Sequence, residues 1–385
     1  MKIAFIGQKG LPAKQGGVEK HVHELAVRLA NNGHDVFAYS RKSYTNTDNT
    51  TFQGVTLKYL PSIATKNFDA ISHSLLAALD VLRQDYDIVH FHGVGPSLVS
   101  FIPRLLKRRT KVVATFHCRD QFHQKWGMIA RAFLSFGEYA INKFPHKTIA
   151  VSKILRQYCS EKYGSEAAYV PNGCAITDTD KASMLPLFNI KKGKYILAVS
   201  RLVKHKGLHY LIDAFKELND PELKLVIVGD TSYTDEYVSL LKERAQGDNR
   251  IVFAGLQTGE ALAQLFKNAR LYVHPSEAEG LPITVLEALK YGIPSIVSNI
   301  PENIEASGGY IYVFKNKEPL DLAKKMKLVL DHPNEVSELA KAGQKYVSIT
   351  YDWDRITETI ESIYEDLLED VREDVAYERE VPLVR

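Results

Sequence analysis

The stretch Tyr272–Pro294, reading YVHPSEAEGLPITVLEALKYGIP, decides how the rest of the chain is read. Its first residues close a strand and place Glu277 and Glu279 in a polar loop. Gly280-Leu281-Pro282 then makes a turn, and an apolar-striped helix carries Glu287. A helix start offers unpaired N–H groups and the positive end of a dipole, which suit a phosphate. Glu279 and Glu287, eight residues apart, are acceptors suited to sugar hydroxyls. An anion cradle between two hydroxyl readers points to a nucleotide sugar, with Glu277 expected as a bystander.

Working outward, 385 residues are enough for two domains with cores of their own. Hydrophobic residues at 45% and charged residues at 25% are those of a soluble globular protein. Cys118, Cys159 and Cys174 form no CxxC pair, so neither a disulfide framework nor a zinc site is expected. A strand from Lys2 leaves no room for a secretory leader, and no apolar run approaches the ~18 residues of a membrane span. The expected location is cytoplasmic.

The net charge of +3 hides an asymmetry. Residues 1–173 hold 23 Lys and Arg against 12 Asp and Glu, whereas the remainder holds 26 against 34. Nine of the thirteen histidines also lie in the first half. A basic half implies an anionic partner there. With no nucleic-acid motif or Arg-rich tract in sight, lipid head groups or phosphorylated acceptors fit better than nucleic acid. The segment 101–111, FIPRLLKRRTK, mixes apolar residues with Arg104, Lys107, Arg108, Arg109 and Lys111, a composition suited to an anionic membrane surface. Peripheral attachment at the inner face of the cytoplasmic membrane follows as an expectation.

The patterning alternates strand and helix in both halves. Strands are expected at Lys2–Gly7, Asp35–Ser40, Asp87–His92, Val112–His117, Thr148–Ser152 and Ala168–Pro171, with a helix over Val18–Asn32. A second series opens at Tyr195–Ser200 and continues through strands at Lys224–Gly229, Ile251–Ala254, Arg270–His274 and Ser295–Ser298. The fold class is therefore α/β, with two facing Rossmann-like parallel-sheet domains and a cleft between them. Expected boundaries are 1–173 for an acceptor-side domain, 174–192 for a linker and 193–351 for a donor-binding domain. A C-terminal helix at about 352–370 should pack back on the first domain, and 371–385 should be a loosely ordered tail.

Ligands in open α/β sheets sit beyond the carboxyl ends of strands, which favours the following residues. Arg201 and Lys206, just past Tyr195–Ser200, pair a planar fork with a point charge for two phosphates, and Gly207 lets the backbone approach closely. Gly16-Gly17 opens a helix whose amides suit a pyrophosphate. His117 ends a buried strand. His90 with His92 and His21 with His23 are spaced i,i+2, but no third ligand declares itself, so no metal is expected. No Asp-x-Asp follows a strand of the first domain, which argues against a metal-dependent diphosphate site. Arg119, Lys125 and Trp126 follow His117 and suit an acceptor pocket. A dinucleotide fingerprint is missing, since Gly7-Gln8-Lys9-Gly10 follows the first strand. The second strand ends at Ser40-Arg41 rather than at an acid, which leaves an NADP-linked oxidoreductase as an alternative. A non-catalytic nucleotide-sugar-binding scaffold is another.

Together these residues resemble the retaining family-4 glycosyltransferases of GT-B fold. The resemblance rests on the Gly16-Gly17 loop, His117, Val170-Pro171-Asn172-Gly173, Arg201 with Lys206-Gly207, and the pair Glu279 and Glu287, which is similar to that family's E-x7-E motif. The N-terminal GLPAKQGGVE is also similar to a bacterial subgroup with rhamnosyltransferases of surface polysaccharide assembly. The resemblance implies a nucleotide-diphosphate sugar as donor, a lipid-linked or other glycan acceptor, and no metal or other cofactor. It implies that Arg201 and Lys206 hold the diphosphate with amides of Gly16, Gly17, Gly280 and Leu281, beside Pro282. Glu279 would bind donor-sugar hydroxyls, Glu287 the ribose, and His117 the donor sugar, with the base read near Gly229 and Gly255-Leu256. Retention would come from front-face attack, in which the leaving phosphate accepts the acceptor's proton.

Overall fold

The computed structural model describes residues 1–380 except 15, 45–47, 64, 66–67, 120–127 and 232–233, with backbone alone for 128–132 and 370–380. The chain divides into two compact units. One runs from Met1 to Asn172 and takes back the chain from Trp353; the other is Gly173–Asp352.

The first unit is built on β1 (Lys2–Ile6), β2 (Asp35–Arg41), β3 (Thr51–Phe52), β4 (Val55–Leu60), β5 (Ile88–His92), β6 (Lys111–Phe116), β7 (Lys147–Ala150) and β8 (Ala168–Tyr169). They form one eight-stranded sheet in the order β3-β4-β2-β1-β5-β6-β7-β8. All described pairings are parallel except β3 with β4. Ile3 stands opposite Val36 on one side and Ile88 on the other. β5 and β6 are buried along their whole length, as expected of strands covered on both faces. The helix Gly17–Asn31 buries Val22, Leu25, Ala26 and Leu29, the stripe its periodicity predicts. Where β1 ends, Gly7 has φ +123° and a Cβ there would stand 2.3 Å from the His92 carbonyl oxygen, so only glycine lets the ends of β1 and β5 lie this close.

The hairpin β3–β4 is absent from the sequence reading. Its turn residues Gln53 and Gly54 both have positive φ (45° and 83°), a two-residue turn usually flagged by Asn-Gly or Asp-Gly. The C-terminal helix is Trp353–Glu380 and continues beyond the end near residue 370 that its pattern suggests; 381–385 lie outside the described residues. It is fastened to the first unit by His34 to Glu361 (2.7 Å), Arg28 to Asp354 (2.9 Å) and His90 to the Tyr364 hydroxyl (2.6 Å).

The second unit has β9 (Tyr195–Val199), β10 (Lys224–Val228), β11 (Ile251–Gly255), β12 (Leu271–His274), β13 (Ser295–Ser298) and β14 (Tyr312–Phe314). All are parallel where paired, in the order β11-β10-β9-β12-β13-β14. Numbered from the start of this unit, that is the 3-2-1-4-5-6 order of the doubly wound Rossmann sheet, whose order reverses between β9 and β12. The core gathers Ile196, Leu211, Ile212, Phe215, Leu225, Ile227, Leu271, Val273 and Met326. The span 174–192, expected as a linker, belongs to this unit and holds a 3-10 turn at Leu185–Phe188. Helices at Pro301–Ser307, Pro319–Asp331 and Pro333–Thr350 complete it, each starting with the proline that fits a first turn.

Phe215 is fully buried, with the Arg250 guanidinium 4.8 Å above its ring. Phe215→Ala should lower the stability of the second unit by about 3–5 kcal/mol, read as an earlier midpoint in urea. An unchanged midpoint would contradict this packing.

Candidate functional site

In the second unit, the loops after β9 and β12 meet at the point where the strand order reverses. Gly207 makes this contact possible: its φ is +67°, and a Cβ would stand 2.0 Å from the Pro275 carbonyl oxygen. The meeting brings Lys206 Nζ to 2.5 Å from Glu279 Oε1, and His274 Nε2 reaches the same oxygen at 2.7 Å. Behind them, His274 Nδ1 lies 3.2 Å from the Tyr272 hydroxyl. Glu279 Oε2 accepts no hydrogen bond from the described residues. One oxygen is thus fixed by two donors, while the other has none among the described residues.

Burial alone would raise the Glu279 carboxyl, but the Lys206 charge and the His274 hydrogen bond outweigh it and hold the group well below the usual carboxylate range. His274 is pushed down by burial, against the raising effect of Glu279. Its role was not legible as a site residue, although its position at the end of β12, five residues before Glu279, was the available signal.

The other expected residues of this unit lie after β9, after β11, and in or just before the helix Ile283–Lys290. Arg201 is exposed, and its guanidinium has no ion-pair or hydrogen-bond partner among the described residues. Backbone N–H groups of Gly280, Leu281, Ile283 and Thr284 have no acceptor among the described residues, and Pro282 caps the helix Ile283–Lys290. Glu287 lies on the buried face of that helix. Leu256 follows β11 at the sheet edge and is exposed, with β10 between that strand and β9. Glu277 is clamped by Tyr210 (3.1 Å) and Lys317 (3.1 Å), a structural tie that fits its reading as a bystander.

In the first unit His117 is not alone. It follows β6, and its Nε2 lies 3.2 Å from Nδ1 of His92, which closes β5. His21 packs edge-on against it with ring centroids 4.9 Å apart. His21 Nδ1 contacts Asn172 Oδ1 at 2.9 Å, which gives the Val170–Gly173 stretch its place. Burial lowers His21 to about 4, against the raising bond from Asn172, and lowers His92 and His117 well below the ordinary histidine range. His90 and His92 do share a face, with ring centroids 4.1 Å apart. His90 differs from the others in using both nitrogens, on Tyr364 and Thr115.

Gly16 caps the helix Gly17–Asn31, but the helix supplies its own anion there. Glu19 Oε2 lies 2.1 Å from where a Gly16 Cβ would stand, and Glu19 Oε1 accepts from the Lys9 amide at 3.4 Å. Arg41, the residue that kept an NADP reading open, is buried and paired with Asp69 at 2.5 Å, so its charge is already matched. The Arg119 guanidinium stacks 5.1 Å over Tyr158, while Lys125 and Trp126 lie outside the described residues.

Segment 101–111 divides on folding. Lys111 is buried in β6 and Lys107 bonds Asp85, which leaves Arg108 and Arg109 exposed beside Leu105 and Leu106. Phe101 meets Phe144, which meets Tyr139, which stacks on Phe136. With Phe133 also exposed, an apolar face joins the helix Phe101–Leu106 to the helix Met128–Lys143. Among the described residues, no helix is long and apolar enough to cross a membrane.

Glu279→Gln should destabilise the protein by about 3 kcal/mol at neutral pH, because Lys206 would stay desolvated without its counter-charge. The sign with pH is set by the depressed carboxyl. Its stabilisation is present above the ordinary value of 4.5 and is lost as pH falls through the lower folded-state value. The gap between wild type and variant should therefore close on acidification, as urea unfolding at several pH values would report.

The family profile described as Glycosyltransferase Family 4 matches residues 15–177, and that described as Glycosyl transferases group 1 matches residues 184–346. An uncharacterized glycosyltransferase (MJ1607) of Methanocaldococcus jannaschii is 27% identical over 96% of this chain and 99% of its own. A phosphatidyl-myo-inositol mannosyltransferase of Mycolicibacterium smegmatis is 25% identical over 91% of this chain and 90% of its own. Among solved structures, Anabaena Alr3699/HepE in complex with UDP and glucose superposes with a TM-score of 0.78 at 19% identity, over 95% of this chain and all of that one, which speaks to the fold. With one profile on each half and relatives matching end to end, the chain belongs to the glycosyltransferase group 1 / family 4 superfamily of GT-B fold.

Proposed function

We propose that this glycosyltransferase retains anomeric configuration and moves a sugar from a nucleoside-diphosphate sugar to a hydroxyl of a lipid-linked or other glycan acceptor, in cell-surface polysaccharide or glycoconjugate assembly. The observation that carries the proposal is the Lys206–Glu279–His274 triad, followed by the amides of Gly280, Leu281, Ile283 and Thr284, which like the Arg201 guanidinium have no partner among the described residues. Arg201 and those amides neutralise the leaving diphosphate, with Lys206 as the second cation. Glu279 Oε2 accepts a hydroxyl of the donor sugar, and Glu287 takes the ribose. In the first unit, His117 contacts the sugar and the Gly16-Gly17 loop adds amides. The proton of the acceptor hydroxyl passes to the leaving phosphate oxygen, so the protein supplies positioning and charge rather than a dedicated base. Transfer of this kind needs no metal.

The relatives favour this reading: one is a phosphatidyl-myo-inositol mannosyltransferase, and one structural neighbour was solved with UDP and glucose. A deoxyhexose donor, as in the rhamnosyltransferases that GLPAKQGGVE resembles, is the narrower choice. Release of nucleoside diphosphate across a panel of uridine, guanosine and thymidine diphosphate sugars would identify the donor, and the anomeric proton of the product by NMR would test retention. Arg201→Ala should cut turnover about 10²–10³-fold, since it removes a cation aimed at charge that develops on the leaving group. Turnover like that of the wild type would sink the assignment.

The acceptor is proposed to be reached at an anionic membrane surface. Leu105 and Leu106 are 66% and 68% exposed, and Phe133 and Phe136 are 57% and 52% exposed, with Arg108 and Arg109 alongside. Vesicles containing phosphatidylglycerol should retain the protein at low salt and release it at high salt. Replacing Leu105 and Leu106 together with serine should weaken retention at least about tenfold. Equal retention by both proteins would refute the surface assigned.

A further inference from the structure

Three imidazoles meet inside the first unit from three separate elements: His21 from the helix Gly17–Asn31, His92 from β5 and His117 from the residue after β6. One ring nitrogen of each lies within 4.8 Å of the other two, and all three rings are buried. The tautomer of His21 follows from its neighbour. Asn172 Oδ1 can only accept, so His21 Nδ1 carries the proton and Nε2 presents a lone pair. That Nε2 is buried with no hydrogen-bond partner among the described residues, and so is Nε2 of His92. Leaving the His21 nitrogen unsatisfied costs about 1–3 kcal/mol. The Asn172 contact has the form of the outer hydrogen bond that fixes a metal-binding imidazole.

We propose that His21, His92 and His117 form a binding site for one borderline divalent cation of the zinc class, and that the cation inhibits transfer by occupying His117. Nitrogen donors alone select zinc, cobalt, nickel or copper rather than magnesium or calcium, which require oxygen ligands. Zinc–nitrogen bonds of about 2.0–2.1 Å in a tetrahedron separate ligand nitrogens by roughly 3.3 Å. His92 Nδ1 and His117 Nε2 already stand at 3.2 Å, and one ring nitrogen of His21 lies within 4.8 Å of theirs, so a small inward shift of the three rings suffices. Three protein ligands leave a fourth position to water. The cation takes no part in transfer; its inhibitory effect rests on the reading of His117 as a donor-sugar contact, whereas its binding does not.

The test uses the full chain, free of any affinity tag and stripped with chelator, titrated with Co²⁺ alone. One equivalent should bind with the visible d–d absorption of a four-coordinate nitrogen site and be displaced by Zn²⁺. His21→Gln and His92→Gln should each weaken cobalt binding at least tenfold, while His332→Gln, at an exposed histidine, should not change it. Absence of the stoichiometric band in the wild type would overturn the site without recourse to any variant, as would equal affinity in the two cluster variants. Because no donor is present, such a failure leaves the donor assignment standing. Cobalt binding combined with donor turnover indifferent to Zn²⁺ would overturn the inhibitory role.

Discussion

A single carboxylate oxygen, Glu279 Oε1, receives both the Lys206 ammonium and the His274 imidazole, and the geometry of the second unit converges on it. A charge this buried is costly unless it is paired and hydrogen-bonded, so the pairing dictates what surrounds it. The β9 loop must come close enough to deliver Lys206, which requires a residue without a side chain at Gly207. β12 must end in a residue that can donate to a carboxylate, and His274 does so while Tyr272 contacts its other nitrogen. The second oxygen of Glu279 and the guanidinium of Arg201 are then left without partners among the described residues.

The two sheets use one principle with different chemistry. Each reverses strand order beside its first strand, between β1 and β5 in the first unit and between β9 and β12 in the second. Side chains at such a reversal are presented beyond the carboxyl ends of the strands. The second unit fills its reversal with opposite charges. The first fills it with neutral imidazoles, whose burial holds them uncharged over the range in which histidine usually titrates. Neutral rings keep lone pairs, and that gives His21 and His92 a chemistry that His90, bonded at both nitrogens, lacks.

Most of this architecture was legible in the sequence because buried parallel strands announce themselves. YILAV, KLVIV and LYVH are short apolar runs followed by glycine or polar loops, and each is a strand of the second sheet. The β3–β4 hairpin was not legible, since its first strand is two residues long and its turn uses Gln-Gly. Arg201, Lys206 and Glu279 could be chosen by residue type and position after a strand. That Lys206 and Glu279 are bonded to each other could not, because seventy-three residues separate them and only the strand order brings their loops together. The histidine cluster shows the same limit. His21, His92 and His117 lie on three elements, so i,i+2 spacing in the sequence revealed only the pairs that share a strand or a helix.

The function proposed above requires the switch point of the second unit to take a diphosphate. Calorimetric titration of the intact chain with matched nucleoside di- and monophosphates tests it most directly. The diphosphate of the preferred base should bind at least about tenfold more tightly than its monophosphate, as charge-assisted contacts to a second phosphate require. Equal affinity for the two, or no binding of any nucleoside diphosphate, would contradict it.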